Sequence, residues 1–140
     1  MLTFVTEGRQ PILSTVQYNG VLEPPSVCLS EYGKITEKYI ENISKSYPYV
    51  FLDNYTIMPD HVHLLITVLD TGNDKKNNKS VASIIRATKN MISREIGESI
   101  WQLDFHDVVA DTEKRFLACD KYIDENPAAW LERKEPVLNI

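Results

Sequence analysis

The residues best suited to chemistry are a pair of histidines and, much later in the chain, a tyrosine followed by an asparagine. His61 and His63 open the second half of the run from Asn54 through Val68, NYTIMPDHVHLLITV. Its Tyr55, Ile57, Val62, Leu64, Leu65, Ile66 and Val68 have the β-branched, aromatic and aliphatic content of buried strand, and Pro59 and Asp60 mark a turn between two such strands. Side chains alternate along a strand, so both imidazoles leave the sheet on one face. Two neutral imidazoles held side by side on a rigid element can bind a divalent metal. The same spacing also suits two ordinary surface or core histidines, so the pair needs a partner.

Tyr122 and Asn126 supply a candidate. They stand four residues apart on a predicted helix and project from one face. A phenol is a poor nucleophile at its ordinary pKa, but a nearby metal and a phosphodiester held in line make it effective. An amide oxygen one turn away can serve as a hard-cation ligand beside two imidazoles. The plain alternative has Tyr122 packing on the sheet and Asn126 as a polar residue near a helix end.

These groups must be positioned by a small set of elements. Leu2–Thr6 and Ile12–Tyr18 are strand candidates, after which Gly20, Pro24 and Pro25 interrupt regular structure. Ser30 is a helix cap for Ile35, Tyr39, Ile40 and Ile43, with an end expected near Tyr47, before Pro48. Tyr49–Tyr55 and Val62–Leu69 then form an antiparallel pair. Asp70–Ser80 is a polar, turn-rich loop by composition. Val81, Ile84, Ile85, Ile92 and Ile96 trace an amphipathic helix that Gly97 can close. Arg86, Lys89 and Arg94 fall outside its apolar stripe. Phe105–Ala110 is strand-like, and Thr112 can cap a last helix that Pro127 is expected to end just after Asn126. The order β, α, β, β, α, β, α implies an α+β sandwich with helices on an antiparallel sheet.

With 140 residues, 43% apolar and 25% charged, the chain reads as one soluble domain over residues 1–140 with a sizeable core. No apolar run approaches the ~18 residues of a membrane span. The first residues, MLTFVTEGRQ, lack the pattern of a signal peptide. Cys28 and Cys119 read as free thiols, which together with these features predicts a reducing cytoplasm. The net charge of −5 argues against indiscriminate nucleic-acid binding. One stretch departs from it: Asn73–Arg94 carries Lys75, Lys76, Lys79, Arg86, Lys89 and Arg94 against Asp74, a local balance of +5. Lys79, Arg86, Lys89 and Arg94 are therefore candidate contacts to DNA phosphates, while Trp101 or Phe105 could stack on an unpaired base or belong to the core.

The segment YTIMPDHVHLL resembles the His-hydrophobic-His segment of HUH single-tyrosine transposases, especially the REP-associated tyrosine transposase branch. IWQLDFHDVV followed by KYIDENP resembles that branch's C-terminal block, in which YIxxNP carries the nucleophile. LSEYGKI and SIIRATKN match as well, so the resemblance covers approximately Leu29 to Trp130. It implies a ferredoxin-like sandwich whose C-terminal helix carries the nucleophile. It also implies metal-dependent cleavage and rejoining of single-stranded or hairpin DNA through a 5′-phosphotyrosine. By position it makes His61, His63 and Asn126 the ligands of Mg2+ or Mn2+ and Tyr122 the nucleophile, in a monomer or a homodimer. Leu103, Asp104, Val108 and Ala110 replace positions that are usually basic or polar in such proteins. Two rivals stay open: a metal-dependent hydrolase whose nucleophile is water, and a domesticated relic that binds DNA without cutting it.

Overall fold

Alternation along the HVHLLITV strand sets the architecture, because it divides the molecule into two unlike faces. The computed structural model describes residues 1–69 and 78–134. Most of the loop expected over 70–80, with Lys75 and Lys76, lies outside the described residues. The described elements are β1 (Leu2–Val5), β2 (Ser14–Gln17), β3 (Ser26–Leu29), α1 (Glu31–Glu41), α2 (Ile43–Ser46), β4 (Val50–Ile57), β5 (His61–Val68), α3 (Val81–Ile96), β6 (His106–Asp107) and α4 (Glu113–Lys134). Four strands form an antiparallel sheet in the order β4-β5-β1-β6, and β2 and β3 pair as a separate hairpin. This is the mixed α+β, ferredoxin-like arrangement expected, with β5 and β1 at the centre.

On one face Leu2 and Phe4 of β1 and Val62, Leu64 and Ile66 of β5 meet Ile40 of α1 and Ile84, Ile85 and Ile92 of α3 in the main core. Each such aliphatic side chain, taken fully out of water, contributes ~1.5–3 kcal/mol before entropy is counted. The other face presents His61, His63 and Leu65, and α4 covers it. Both helices of the core layer start on a serine cap: Gly33 N donates to Ser30 Oγ and Ser83 N to Ser80 Oγ, each at 3.1 Å. Gly97 closes α3 in the left-handed conformation at φ 95°, as its position suggested. Gly33 matters for a different reason. A Cβ there would lie 2.0 Å from the Leu13 carbonyl oxygen, so only glycine lets α1 approach the segment before β2.

A bulge in β4 links the sheet to α4. Leu52 pairs with Ile66, but Asn54 pairs with Leu65, which leaves Asp53 as the extra residue. Leu52 and Tyr55 consequently face the core, while Asn54 is switched to the histidine face. There its amide donates to Asp120 Oδ1 at 2.8 Å and to Asp124 Oδ1 at 3.0 Å, which fastens α4 to the strand.

Three expectations change. β3 forms across the Pro-rich stretch, because Pro24 and Pro25 end just where its pairing with β2 begins. β6 is two residues long rather than six. α4, capped by Thr112 as expected, runs through Pro127 to Lys134. A proline inside a helix removes one N–H bond and normally breaks the helix; here the contacts of the segment beyond it override that preference. Among the described residues no helix is long and apolar enough to cross a membrane.

Candidate active site

The register of the sheet builds the site from the bottom. Thr3 of β1 pairs with His63 and Val5 with His61, so β1 forms the floor next to both imidazoles. Both histidines are buried, and their rings lie 4.7 Å apart, edge to face. Thr3 Oγ1 is 2.7 Å from His63 Nδ1, and Asp60 Oδ1 is 2.6 Å from His61 Nδ1. The other nitrogen of His61, Nε2, lies 3.2 Å from Asn126 Oδ1.

The covering face of α4 is read at helical spacing: Tyr122, Asn126 and Trp130. Ile123 and Asn126 are buried against the sheet, which seats the helix, while Tyr122 remains 43% exposed. The Tyr122 ring sits 5.3 Å from that of His63, and the Trp130 ring 6.2 Å from that of His61. Four side chains singled out in the sequence, His61, His63, Tyr122 and Asn126, therefore come together within one chain. A tyrosine half open to solvent beside two enclosed imidazoles is accessible to a large substrate.

The donor set suits a divalent cation. Asp60 Oδ1 can only accept, so it suits a proton on His61 Nδ1, and in the neutral tautomer that carries its proton there Nε2 keeps a lone pair. In that tautomer the lone pair faces the Asn126 oxygen, another acceptor, and such convergence of lone pairs is what a cation requires. Among the described residues no group of three His, Cys, Asp or Glu forms such a site; the third donor here is an amide.

Burial, the neighbouring His61, Arg133 and the N-terminal ammonium together push the His63 pKa from 6.5 down to about 4. The ring is thus neutral at pH 7, the form that ligates metal. The unfolded chain binds this proton more readily, so the associated stability is full above pH 6.5 and is lost as pH falls towards 4. In chelator, urea unfolding should lose up to about 3 kcal/mol across that interval. His63→Gln should flatten the part of the slope above pH 5, where carboxylates titrate little.

The DNA-contact candidates separate. Lys79, Arg86 and Arg94 are exposed. Lys89 is not on that open face: it is 6% exposed, and its Nζ donates to the carbonyls of Gln102 at 2.7 Å and of Leu103 and Asp104 at 3.3 Å. Burial lowers its pKa, partly offset by Asp104. Its long stem lies against the core while the ammonium holds the 102–104 turn. Trp101 is likewise core, packed edge-on against Phe4 with ring centroids 4.8 Å apart, and Phe105 packs against the same cluster. Neither is placed to stack freely on a base. Sequence reasoning missed Thr3, whose role depends on register, and Asp60, which reads as an ordinary turn residue.

The sandwich, its α4 cover and the His, Tyr and Asn cluster define a class of protein that comparison makes specific. The chain belongs to the IS200-like transposase family, whose family model matches residues 25–126. It is similar to an uncharacterized protein of Haemophilus influenzae, at 26% identity over 73% of this chain and 68% of that protein. Its fold is similar to that of a solved REP-associated tyrosine transposase bound to a REP hairpin, with a TM-score of 0.62 at 20% identity. That match covers 92% of this chain, which spans 66% of the length of the other.

Proposed function

We propose that the protein cleaves and rejoins single-stranded or hairpin DNA, with Tyr122 as nucleophile. The observation that carries this reading is the juxtaposition of a half-exposed Tyr122 with His61, His63 and Asn126. Tyr122 Oη attacks phosphorus and gives up its proton. The P–O3′ bond breaks, the departing 3′ oxygen takes a proton, and the 5′-phosphate remains as a phosphotyrosine. The reverse attack by a 3′-hydroxyl restores a phosphodiester and frees the tyrosine. The ester retains the energy of the bond it replaces, so no nucleotide cofactor is required. His61, His63 and Asn126 would hold Mg2+ or Mn2+, which when bound supplies Lewis-acid polarisation of the scissile phosphate. The exposed phenol lets a DNA strand reach the site, and the enclosed imidazoles stay fixed beside it. All four groups come from one chain, so this reading does not require a second copy.

Incubating the full chain with a hairpin carrying a single-stranded tail and Mn2+, then running a denaturing gel, tests the reading. Expected is a DNA band retarded by covalent protein, with a free 3′-hydroxyl on the other fragment. Cleavage that leaves a free 5′-phosphate and no adduct would instead assign water as nucleophile. Binding without any cleavage would assign a DNA-binding relic.

The exposed cations provide the backbone contacts in this reading. Neutralising Lys79 and Arg86 together should weaken binding to many single-stranded sequences alike, because phosphate contacts do not read bases. The slope of log affinity against log salt should flatten by ~0.7 for every phosphate left without its cation. Fluorescence anisotropy at several salt concentrations measures it, and an unchanged slope would make these cations a solvated face. Lys89→Met serves as a contrast: its expected effect is on stability, through release of the 102–104 turn.

A further inference from the structure

The turn before β5 and the loop after β1 are laced together beneath the histidines. Thr6, fully buried, donates from its backbone N to the Asp60 carbonyl at 2.9 Å, and its one Oγ1–H is shared between the carbonyls of Gln10 at 2.9 Å and Asp60 at 3.1 Å. Leu13 N donates to the Pro59 carbonyl at 3.0 Å, and Arg9 N to the Thr6 carbonyl at 3.0 Å. Within this loop Arg9 has a φ of 51°, the single non-glycine residue with positive φ among the described residues. That conformation is disfavoured for a side chain with a Cβ, and such outliers persist where the surroundings hold them. Arg9 Nη1 lies 3.5 Å from Asp60 Oδ2. The other carboxylate oxygen, Oδ1, is the one 2.6 Å from His61 Nδ1. The Asp60 side chain is 9% exposed, which favours its contact with His61, whereas the Arg9 side chain is 65% exposed and water competes at that end of the pair.

We propose that Asp60, braced by Arg9, is a positioning residue: it fixes the tautomer and the ring orientation of His61. The inference rests on the reading of His61 as a metal ligand, but its first consequence is visible without metal. With Nδ1–H donating to Asp60, Nε2 is bare and directed at the Asn126 side of the site. Without that acceptor, the proton can move to Nε2 and donate to Asn126 Oδ1, closing the gap where a cation would sit. A partner that orients a ligating histidine is commonly worth roughly 10–100-fold in metal affinity.

The test uses the full chain labelled with 15N in histidine. In chelator, long-range 1H–15N spectra of the wild type should show His61 protonated at Nδ1 and bare at Nε2. Asp60→Leu should populate the Nε2–H form and weaken Mn2+ binding, followed by electron paramagnetic resonance, roughly 10–100-fold. Asp60→Asn retains an oxygen acceptor and should keep the wild-type tautomer and most of the affinity. Arg9→Met should weaken Mn2+ binding in the same direction by less, and an unchanged affinity would remove the brace from the proposal. A wild-type His61 protonated at Nε2 would overturn the proposal outright, whether or not Asp60→Leu folds. So would a folded Asp60→Leu with unaltered tautomer and affinity. Failure of the wild type to bind Mn2+ would overturn the metal reading, whereas the tautomer spectra decide the role of Asp60 separately.

Discussion

Tyr122→Phe is expected to lose the covalent DNA adduct completely while still binding the same hairpin. The substitution keeps the ring, its 5.3 Å approach to His63 and nearly all its volume. The side chain is 43% exposed, so stability should change by no more than about 0.5 kcal/mol. What is removed is the phenolic oxygen proposed as the nucleophile. Denaturing gels report the adduct, and anisotropy reports binding. An adduct formed by the Phe variant would mean that another residue is the nucleophile.

The second large effect concerns the histidines. His61→Ala or His63→Ala is expected to reduce cleavage roughly 100-fold or more, since metal polarisation contributes several kcal/mol to a charged transition state. Chelator should reproduce the loss in the unaltered protein. These variants also carry a structural cost. Both rings are buried on β5, between β4 and β1, so each truncation leaves a cavity and should destabilise by about 1–3 kcal/mol. The chelator experiment separates the two causes, because it alters no packing. Full cleavage in chelator by the wild type would remove the metal from the account.

What could be read in the sequence was mostly local. The two-residue spacing of His61 and His63 is sufficient to put both on one sheet face, and the four-residue spacing of Tyr122 and Asn126 to put both on one helix face. That these two faces meet depends on contacts far apart in the chain. Asn54 holds α4 only because the bulge at Asp53 switches it to the histidine side, and no local pattern announces that bulge. Thr3 reaches His63 through strand register alone.

Pro127 misled for a physical reason. Its intrinsic preference is to end a helix, but Trp130 one turn further packs near His61, and tertiary contact overrides propensity. Lys89 misled in the opposite sense: it falls outside the apolar stripe of α3, yet its carbonyl partners come from the 102–104 turn. Amphipathic spacing marks where a side chain starts, and a lysine stem is long enough to finish elsewhere.

The claim that joins all of this is covalent attachment of DNA to one particular oxygen. Wild-type protein should be reacted with a tailed hairpin and Mn2+, digested with protease and nuclease, and mapped by tandem mass spectrometry. The account predicts a nucleotide linked through its 5′-phosphate to the peptide that contains Tyr122, and to no other peptide. Attachment at a different residue, or cleaved DNA with free 5′-phosphates and no modified peptide, would contradict it.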